Sequence, residues 1–223
     1  NHSTLRNTTL HILTVSFNNA KDLIIMKKWL NEIEIKGELI TLEILSIKHI
    51  ESLTEAVKDG ELWNLWYTSA PEPNNVKNYI ETAISEFQND KSLPFVIIRK
   101  KDNKVIGTTR YMNADSKNKR VEIGTTWYSK SNQRTGVNTE CKYLLLNYAF
   151  DNLKCIAVEF RTHIHNNQSK DAIVRLGAKQ DGILRNHKVD KFGCLRDTVV
   201  FSIINSEWNT VKKSLEFKMN KKY

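Results

Sequence analysis

The apolar residues of the chain follow two different periodicities. Short runs in which apolar and polar residues alternate are typical of β-strands, whereas apolar residues that recur every three or four positions are typical of amphipathic helices. The first pattern predicts strands at 39–45, 95–99, 105–112, 121–128, 155–161, 183–189 and 198–204. The second predicts helices at 47–57, 61–67, 76–87, 137–153 and 169–176, and a last helix that carries Trp208, Val211 and Leu215. This order, with a strand-helix-strand unit in the middle, predicts an α/β domain around one mixed sheet.

The helix at 137–153 has one clear apolar face, which Cys141, Leu145 and Ala149 share. Residues three and four positions apart lie on the same side of a helix, so this face should pack on the sheet. We expect the polar positions of the helix to face solvent; they are Glu140, Lys142, Asn147 and Asp151.

The first 36 residues differ from the rest, because they are rich in Asn and Thr and have no clear period. Met26 is a plausible native start, so residues 1–25 form either an arm or an added leader, and the sequence leaves both open. We therefore predict an N-terminal extension at 1–36, one domain at 37–209 and a basic tail at 210–223.

Composition narrows the class of protein. Among 223 residues, 40% are hydrophobic and 26% are charged, which allows one domain with a sizeable core. No run approaches the roughly 18 apolar residues of a membrane-spanning helix, and no signal peptide is evident, so we expect a soluble, cytoplasmic protein. Cys141, Cys155 and Cys194 are widely spaced and odd in number, which favours buried reduced thiols over disulfides or a zinc site.

The net charge of +9 raises the question of nucleic-acid binding. Much of the excess is diffuse, and part of it lies in the C-terminal tail, where a solvated basic segment is the simpler interpretation. A positive field also suits a ligand that carries several phosphates. The charge alone does not discriminate between these interpretations.

The segment 129–136, between the strand at 121–128 and the following helix, carries the candidate chemistry. The first N–H groups of a helix have no intrahelical partner, and the helix dipole adds positive potential there. Gly136 lets the backbone approach an anion without a Cβ in the way, and Arg134 adds a charge. These features predict a pyrophosphate site, although an ordinary capped loop would explain the same residues.

The motifs around this loop resemble those of the GNAT N-acetyltransferases, in particular the branch that includes the RimJ- and RimL-type ribosomal-protein N-terminal acetyltransferases. The loop matches as Gln133-x-x-Gly136-x-Asn138, and Asn166-x-x-Ser169 lies downstream. The segments 107–111, 121–127, 176–178 and 196–202 also match, in family order. The resemblance runs from about residue 37 to residue 208, and it implies the GNAT fold: one mixed, largely antiparallel central sheet, flanked by helices and splayed at the cofactor site.

The resemblance implies an acyltransferase that uses acetyl-coenzyme A as cosubstrate and needs no metal. Its acceptor would be an amine, either a protein N-terminus or a small molecule, with no membrane and no direct nucleic-acid contact. Relatives in this branch often pair, so a homodimer is also expected. The cofactor contacts it implies are Trp127, Tyr128, Gln133, Arg134, Thr135, Gly136, Val137, Asn138, Thr139, Asn166 and Ser169.

The reaction of this family is direct attack of a neutral amine on the thioester, which a carboxylate can assist by accepting a proton. Glu122 is the first candidate for this general base, with Glu140 and His187 in reserve. Ser169 is the candidate acid for the leaving thiolate. The alternatives are an ion-paired strand carboxylate at Glu122 and ordinary helix caps at Asn166 and Ser169.

Two positions depart from the family pattern. Asn138 stands where the loop usually ends in a small residue, and as a good helix cap it is compatible with the first turn. Ile173 stands where many members have a Tyr general acid, so that acid cannot be transferred to this chain. A non-catalytic acyl-coenzyme A-binding module, or an antibiotic or polyamine acetyltransferase, therefore stays open as an alternative.

Overall fold

A computed structural model describes residues 28–190 and 192–220 of the chain. The predicted arm or leader at 1–25 and the candidate start at Met26 lie outside these residues. The strands are β1 (Ile35–Lys36), β2 (Ile40–Ile44), β3 (Leu93–Arg99), β4 (Lys104–Asp115), β5 (Arg120–Tyr128), β6 (Ala157–His163), β7 (Lys179–Val189) and β8 (Leu195–Ile204). The α-helices are α1 (Ile50–Lys58), α2 (Val76–Gln88), α3 (Val137–Asn147), α4 (Asn167–Leu176) and α5 (Asn205–Asn220).

The described strands form one eight-stranded sheet in the order β1-β2-β3-β4-β5-β6-β8-β7. Neighbouring strands are antiparallel except for β5 and β6, which are parallel and are joined by a crossover through α3. The predicted mixed, largely antiparallel sheet is confirmed. A parallel pair needs a crossover of this kind, because a tight turn can join only antiparallel neighbours.

Helices cover both faces of the sheet and divide the core in two. On one face, Val121, Ile123 and Val158 pack with residues of α3, α4 and α5, including Leu145 and Trp208. On the other face, Val96 and Trp127 pack with α1 and α2. We call these the α3/α5 face and the α1/α2 face. Strand side chains alternate between the two faces, so a single residue number decides which layer a side chain enters.

Three predicted helices differ in their bounds from those observed. The predicted helix at 61–67 is only a 3₁₀ turn, Leu62–Asn64, which ends where Leu65 becomes extended. The long helix at 137–153 ends as α-helix at Asn147 and continues as one π-helical turn, Tyr148–Asn152. The helix at 169–176 begins two residues earlier than predicted and ends at Gly177, whose φ of 105° is the left-handed C-terminal geometry that favours glycine.

The prediction that Glu140 and Lys142 face solvent is wrong, because both side chains are buried. The Glu140 carboxylate accepts hydrogen bonds from three consecutive backbone N–H groups, those of residues 38, 39 and 40, at 2.7–3.2 Å. Gly37 lies against the same carboxylate, since a Cβ there would lie 2.7 Å from its Cδ. Glu140 therefore joins α3 to the start of β2 and is occupied structurally, so it is not available as a base.

The packing does not break at either predicted domain boundary. Leu30 is fully buried in the core and β1 pairs with β2, so the described part of the predicted extension packs on the domain. Helix α5 runs through residue 209, and Val211 and Leu215 are buried with Trp208. The apolar stripe formed by Trp208, Val211 and Leu215 is thus covered by its own domain. The division into domain, extension and tail stays a prediction.

The three cysteines are free thiols, as expected, but only Cys141 and Cys155 are buried; Cys194 is exposed. None of the helices in the described ranges is both long enough and apolar enough to span a membrane.

We expect Glu140→Ala to lower the free energy of unfolding by about 3 kcal/mol, because three backbone N–H groups, of which that of Ile40 is buried, lose their charged acceptor. Urea unfolding measures the change. Glu140→Gln should lose less, since one amide oxygen remains to accept. The control is Glu81→Ala, whose exposed i,i+4 pair with Lys77 should contribute at most about 0.5 kcal/mol. Equal losses in Glu140→Ala and Glu81→Ala would contradict the structural role of Glu140.

Candidate functional site

The central gap of the sheet lies between β5 and β6. These strands pair at three positions only, where residues 120–122 of β5 face residues 157–159 of β6. Beyond Glu122 and Glu159 the strands continue, to Tyr128 and His163, without pairing to each other. Backbone groups of β5 that point towards β6 in this stretch are therefore available to an extended ligand.

A β-bulge turns β5 as it enters the gap. Opposite β4, Gly124 pairs with Arg110 and Trp127 with Thr108, so β5 has one extra residue here. Thr125 absorbs it with a φ of 48°. After the bulge, the Trp127 side chain lies in the α1/α2 core and the Tyr128 side chain in the α3/α5 core. Only the backbones of these two predicted cofactor contacts are therefore free to face the gap.

The loop at 129–136 is held firmly at its start. The Asp59 carboxylate accepts hydrogen bonds from the backbone and hydroxyl of Ser131, and Arg99 donates to the side chain of Asn132. Gln133 donates to the carbonyl of Tyr128 at 3.2 Å. These contacts fix the loop against β3, β5 and the end of α1, so the turn into α3 starts from a defined position.

The end of the loop presents unpaired donors. The Glu140 N–H is the first in α3 to bond back, to the Gly136 carbonyl at 3.0 Å. Within the described residues, the backbone N–H groups of 134–136 and 138–139 have no protein acceptor. Arg134, Thr135 and Gly136 are exposed, so an anion can reach them. A helix N-terminus with exposed, unpaired donors is the geometry that binds phosphate groups.

The left-handed residue of this loop is Arg134, with a φ of 58°, and not Gly136, whose φ of −62° suits any residue. Gly136 instead leaves open space beside the loop backbone. A Cβ at this position would meet only Leu39 Cδ1, at 3.2 Å, and would otherwise project from the exposed loop. Val137 is buried in the core, while Asn138 and Thr139 are partly exposed on the first turn.

The start of α4 lies beside this loop. Asn166 caps α4, because its side chain accepts a hydrogen bond from the Ser169 N–H at 3.0 Å. Gln168 donates to the Gln133 side chain at 3.4 Å, which links α4 to the loop. Capping α4 is the structural alternative that the sequence left open for Asn166. The cap uses the Ser169 N–H, and the partly exposed Ser169 hydroxyl has no partner in the described chain.

Glu122 lies at the closed end of the gap and is 7% exposed. Asn113 donates to its Oε2 at 2.7 Å, and Arg161 Nε lies 3.5 Å from the same oxygen. Burial raises the pKa of Glu122, while the Asn113 hydrogen bond and the Arg161 charge oppose that rise. A carboxylate with a raised pKa, bonded on one oxygen only, suits proton transfer. No described hydrogen bond or ion pair joins it to Ser169.

Glu122 belongs to a polar surface on the α1/α2 side of β5, β6, β8 and β7, which we call the polar face; its members are Glu122, Glu159, Arg161, His163, His187 and Arg196. Glu159 accepts from both Arg120 and Arg161. His187 Nδ1 lies 3.1 Å from the Thr198 hydroxyl. Burial and then the neighbouring cations lower the pKa of His187, whose strand β7 is separated from β6 by β8.

An aromatic group borders the polar face. Trp66, from the α1–α2 connection, is exposed and packs edge-on against His163 with ring centroids 4.6 Å apart. Tyr67 and His165 lie next to this pair. Tyr111, by contrast, is fully buried in the α3/α5 core, where its hydroxyl donates to the Leu145 carbonyl.

Sequence patterns missed Lys142, which lies directly under the bulge. Its Nζ donates to Thr126 Oγ1 at 2.6 Å and lies 3.4 Å from Thr109 Oγ1, and in the described ranges it has no carboxylate partner. Burial lowers the pKa of Lys142 to about 8. The helical periodicity predicted that Lys142 faces solvent. The contact of Lys142 with the two strand threonines, which shows that it is buried, is visible only in the folded structure.

The described residues contain no group of three His, Cys, Asp or Glu side chains that could hold a metal ion. The polar groups around the elongated gap are backbone N–H donors, hydroxyls and the Glu122 carboxylate, and the exposed N–H donors fit a phosphate-bearing organic ligand.

Comparison with known proteins places the chain among acetyltransferases. Residues 40–179 match the family model described as "Acetyltransferase (GNAT) domain". The "Putative ribosomal N-acetyltransferase YdaF" of Bacillus subtilis (strain 168) is 26% identical over 181 residues, 79% of this chain and 97% of that protein.

Solved structures of acetyltransferases are also similar to this chain. A GCN5-related N-acetyltransferase from Brucella melitensis has a TM-score of 0.76 and 29% identity, covering 85% of this chain and 86% of that one. RimJ of Mycobacterium smegmatis, solved in complex with CoA-disulfide, has a TM-score of 0.69 over 84% of this chain and 93% of that one. Its 15% identity makes this a likeness of fold.

We expect the free energy of unfolding of the wild type to rise relative to Lys142→Met by about 2 kcal/mol between about pH 7.5 and about pH 9.5. The folded pKa of Lys142, about 8, is below its unfolded value of 10.5, so the unfolded chain binds the extra proton in this range. Stability therefore increases as pH rises. Urea unfolding at several pH values measures it, with the exposed Lys58→Met as control. Parallel pH curves for wild type and Lys142→Met would disprove the buried cation.

Proposed function

The chain belongs to the GNAT acetyltransferase family, and from this premise we propose that it transfers the acetyl group of acetyl-coenzyme A to a primary amine. The observation that carries the proposal is the gap between β5 and β6, which has unpaired N–H groups at one end and the buried Glu122 at the other. One end suits the anionic part of the cosubstrate, and the other suits the chemical step.

The pyrophosphate of the cosubstrate would bind the N–H groups of residues 134–136 and 138–139, with Arg134 beside it. Two residues hold that loop in place. Gln133 donates a hydrogen bond to the Tyr128 carbonyl, and the Val137 side chain is buried in the core. The pantetheine arm would run along the unpaired edge of β5, past the backbones of Trp127 and Tyr128. Ser169 at the start of α4 would face it across the gap.

The acceptor amine must be neutral to attack, and an α-amino group with a pKa near 7.7–8.0 loses its proton more readily than a Lys near 10.4. A C–N bond then forms, the C–S bond of the thioester breaks, and coenzyme A leaves as thiolate. Glu122 would accept the proton that the amine gives up, directly or through a water. Ser169 would donate towards the thiolate sulfur, a role that the buried Ile173 cannot take.

The acceptor is an α-amino group of a protein or a small-molecule amine. The relative YdaF is named as a ribosomal N-acetyltransferase, which favours the protein N-terminus. Another solved protein of similar fold, MccE, is named as a Microcin C7 self immunity acetyltransferase, and its 21% identity supports the fold alone. Homodimer formation stays a prediction.

We expect Gly136→Val to weaken coenzyme A binding at least about tenfold, because the branched side chain would stand over the exposed N–H groups. The φ of −62° and the single near contact with Leu39 indicate that the variant folds. Calorimetric titration measures the affinity. The matched control is Gly182→Val on β7, where a Cβ meets nothing within 4 Å. Unchanged affinity in a folded Gly136→Val protein would place the anion elsewhere.

We expect Glu122→Gln to slow acetyl transfer by about 10²–10⁴-fold, with coenzyme A affinity nearly unchanged. Release of free thiol with a panel of primary amines measures the rate. Because burial raises the pKa of Glu122, its ionised form costs stability above that pKa, so the variant should be no less stable than wild type at neutral pH. A wild-type rate in Glu122→Gln would make the carboxylate structural, and no thiol release by wild type would favour a binding module.

A further inference from the structure

Arg196, at the edge of the candidate site, is a cation without an ion-pair or hydrogen-bond partner among the described residues. It lies on β8, on the same face as Thr198, which pairs with His163 of β6. Its guanidinium forms no ion pair or hydrogen bond with any residue in the ranges 28–190 and 192–220, and its Nε is buried without an acceptor. A buried guanidinium N–H with no acceptor is unfavourable, because it has lost water and gained nothing.

The other arginines of this region are paired. Glu159 accepts from Arg120 and Arg161, and Glu86 accepts from Arg110 at 2.8 Å. The carboxylates nearest to Arg196 along the chain are bonded to backbone: Asp197 accepts from the Asn186 N–H and Asp190 from the N–H groups of residues 192 and 194. Arg110, Arg120 and Arg161 therefore each have a carboxylate partner, and Arg196 has none among the described residues.

The charge of Arg196 changes the pKa of a neighbouring side chain of the polar face. Burial first, and then Arg196, lower the pKa of His163. Burial lowers the pKa of Arg196 itself, and the negative charge of Glu122 opposes this, so the two side chains are close enough to interact. One end of the polar face thus holds the proposed base and the other an unneutralised guanidinium.

We propose that Arg196 binds an anionic group, a carboxylate or a phosphate, that the amine acceptor carries within a few bonds of its amine. This inference rests on the proposed function, because it assigns the chemistry of the acceptor at the same site. A guanidinium binds either anion through two parallel N–H bonds, which orients a ligand as well as holding it. With its anion on Arg196, the acceptor would place its amine towards Glu122, and the exposed face of Trp66 would border its carbon chain.

The phosphates of coenzyme A are the competing ligand for Arg196. Their proposed site is the loop that follows β5, whereas Arg196 lies on β8, separated from β5 by β6. The test must therefore distinguish a loss of acceptor binding from a loss of coenzyme A binding.

The experiment compares three acceptors: 3-aminopropanoate, its neutral amide, and O-phosphoethanolamine. For wild type, Arg196→Gln and Arg196→Lys, kcat and KM are measured by thiol release. Arg185→Gln is the control, since Arg185 is an exposed cation of β7 with no described contact. The comparison of each anionic acceptor with the amide cancels differences in intrinsic amine reactivity, because every variant meets the same compounds.

We expect Arg196→Gln to lower the preference for the anionic acceptors over the amide by about 10- to 100-fold, mainly through KM, with the KM for acetyl-coenzyme A unchanged. Arg196→Lys should retain part of the preference for the anionic acceptors, and Arg185→Gln should show the same preference as wild type. The carboxylate and phosphate arms show which anion is preferred. The proposal is overturned if the preference is the same in wild type and Arg196→Gln, or if the variant instead loses affinity for coenzyme A.

A binding measurement separates this proposal from the proposed function. The coenzyme A-loaded protein is titrated with N-acetyl-3-aminopropanoate and with N-acetyl-O-phosphoethanolamine, which need no catalysis. If no acceptor reacts but wild type binds either compound and Arg196→Gln does not, the anion site stands and the proposed activity fails. If wild type binds neither compound and shows no preference for anionic acceptors, the anion site is wrong.

Discussion

The parting of β5 and β6 after three paired residues is the constraint on which the site depends. In most sheets a parallel pair continues for the length of both strands, because each unpaired backbone group that is buried costs free energy. Here β5 carries a bulge at Thr125, and β6 continues to His163 without pairing to β5. The unpaired edges supply hydrogen-bond groups without any special side chain.

Buried charge supports this geometry from the α3 side. Glu140 gathers three N–H groups at the start of β2, and Lys142 reaches the threonines of β4 and β5 beneath the bulge. These two residues lie two positions apart on one helix, where only one of them would normally point inward. Both are buried because α3 is enclosed by β2 on one side and by the bent part of β5 on the other. The first turn of α3 is thus fixed at the point where its free N–H groups face the gap.

The polar face has an uneven balance of charge. Glu159 neutralises two arginines, whereas Glu122 keeps one oxygen unbonded and Arg196 has no counterion in the described chain. A stable fold alone would not favour this arrangement, since burying a charge without a partner is costly. The imbalance is understandable if a ligand completes it, and a ligand with an amine and an anionic group would do so at both ends.

The sequence by itself determined the order of the strands from β2 onwards and of the five α-helices, the mixed sheet, the GNAT resemblance and the loop from Gln133 to Asn138; it missed β1 and predicted a helix at 61–67 where only a 3₁₀ turn forms. These depend on local periods and on the residues at one turn, which nearby sequence specifies. Only the tertiary structure decided that Glu140 is a structural anchor, that Lys142 is buried, that Arg134 takes the left-handed torsion, and that Arg196 lacks a partner. Helical period could not reveal the first two, because it assumes that a helix is covered on one side only. The counterion of a strand residue lies on another strand, often far away along the chain, so charge pairing becomes visible only once the sheet register is known.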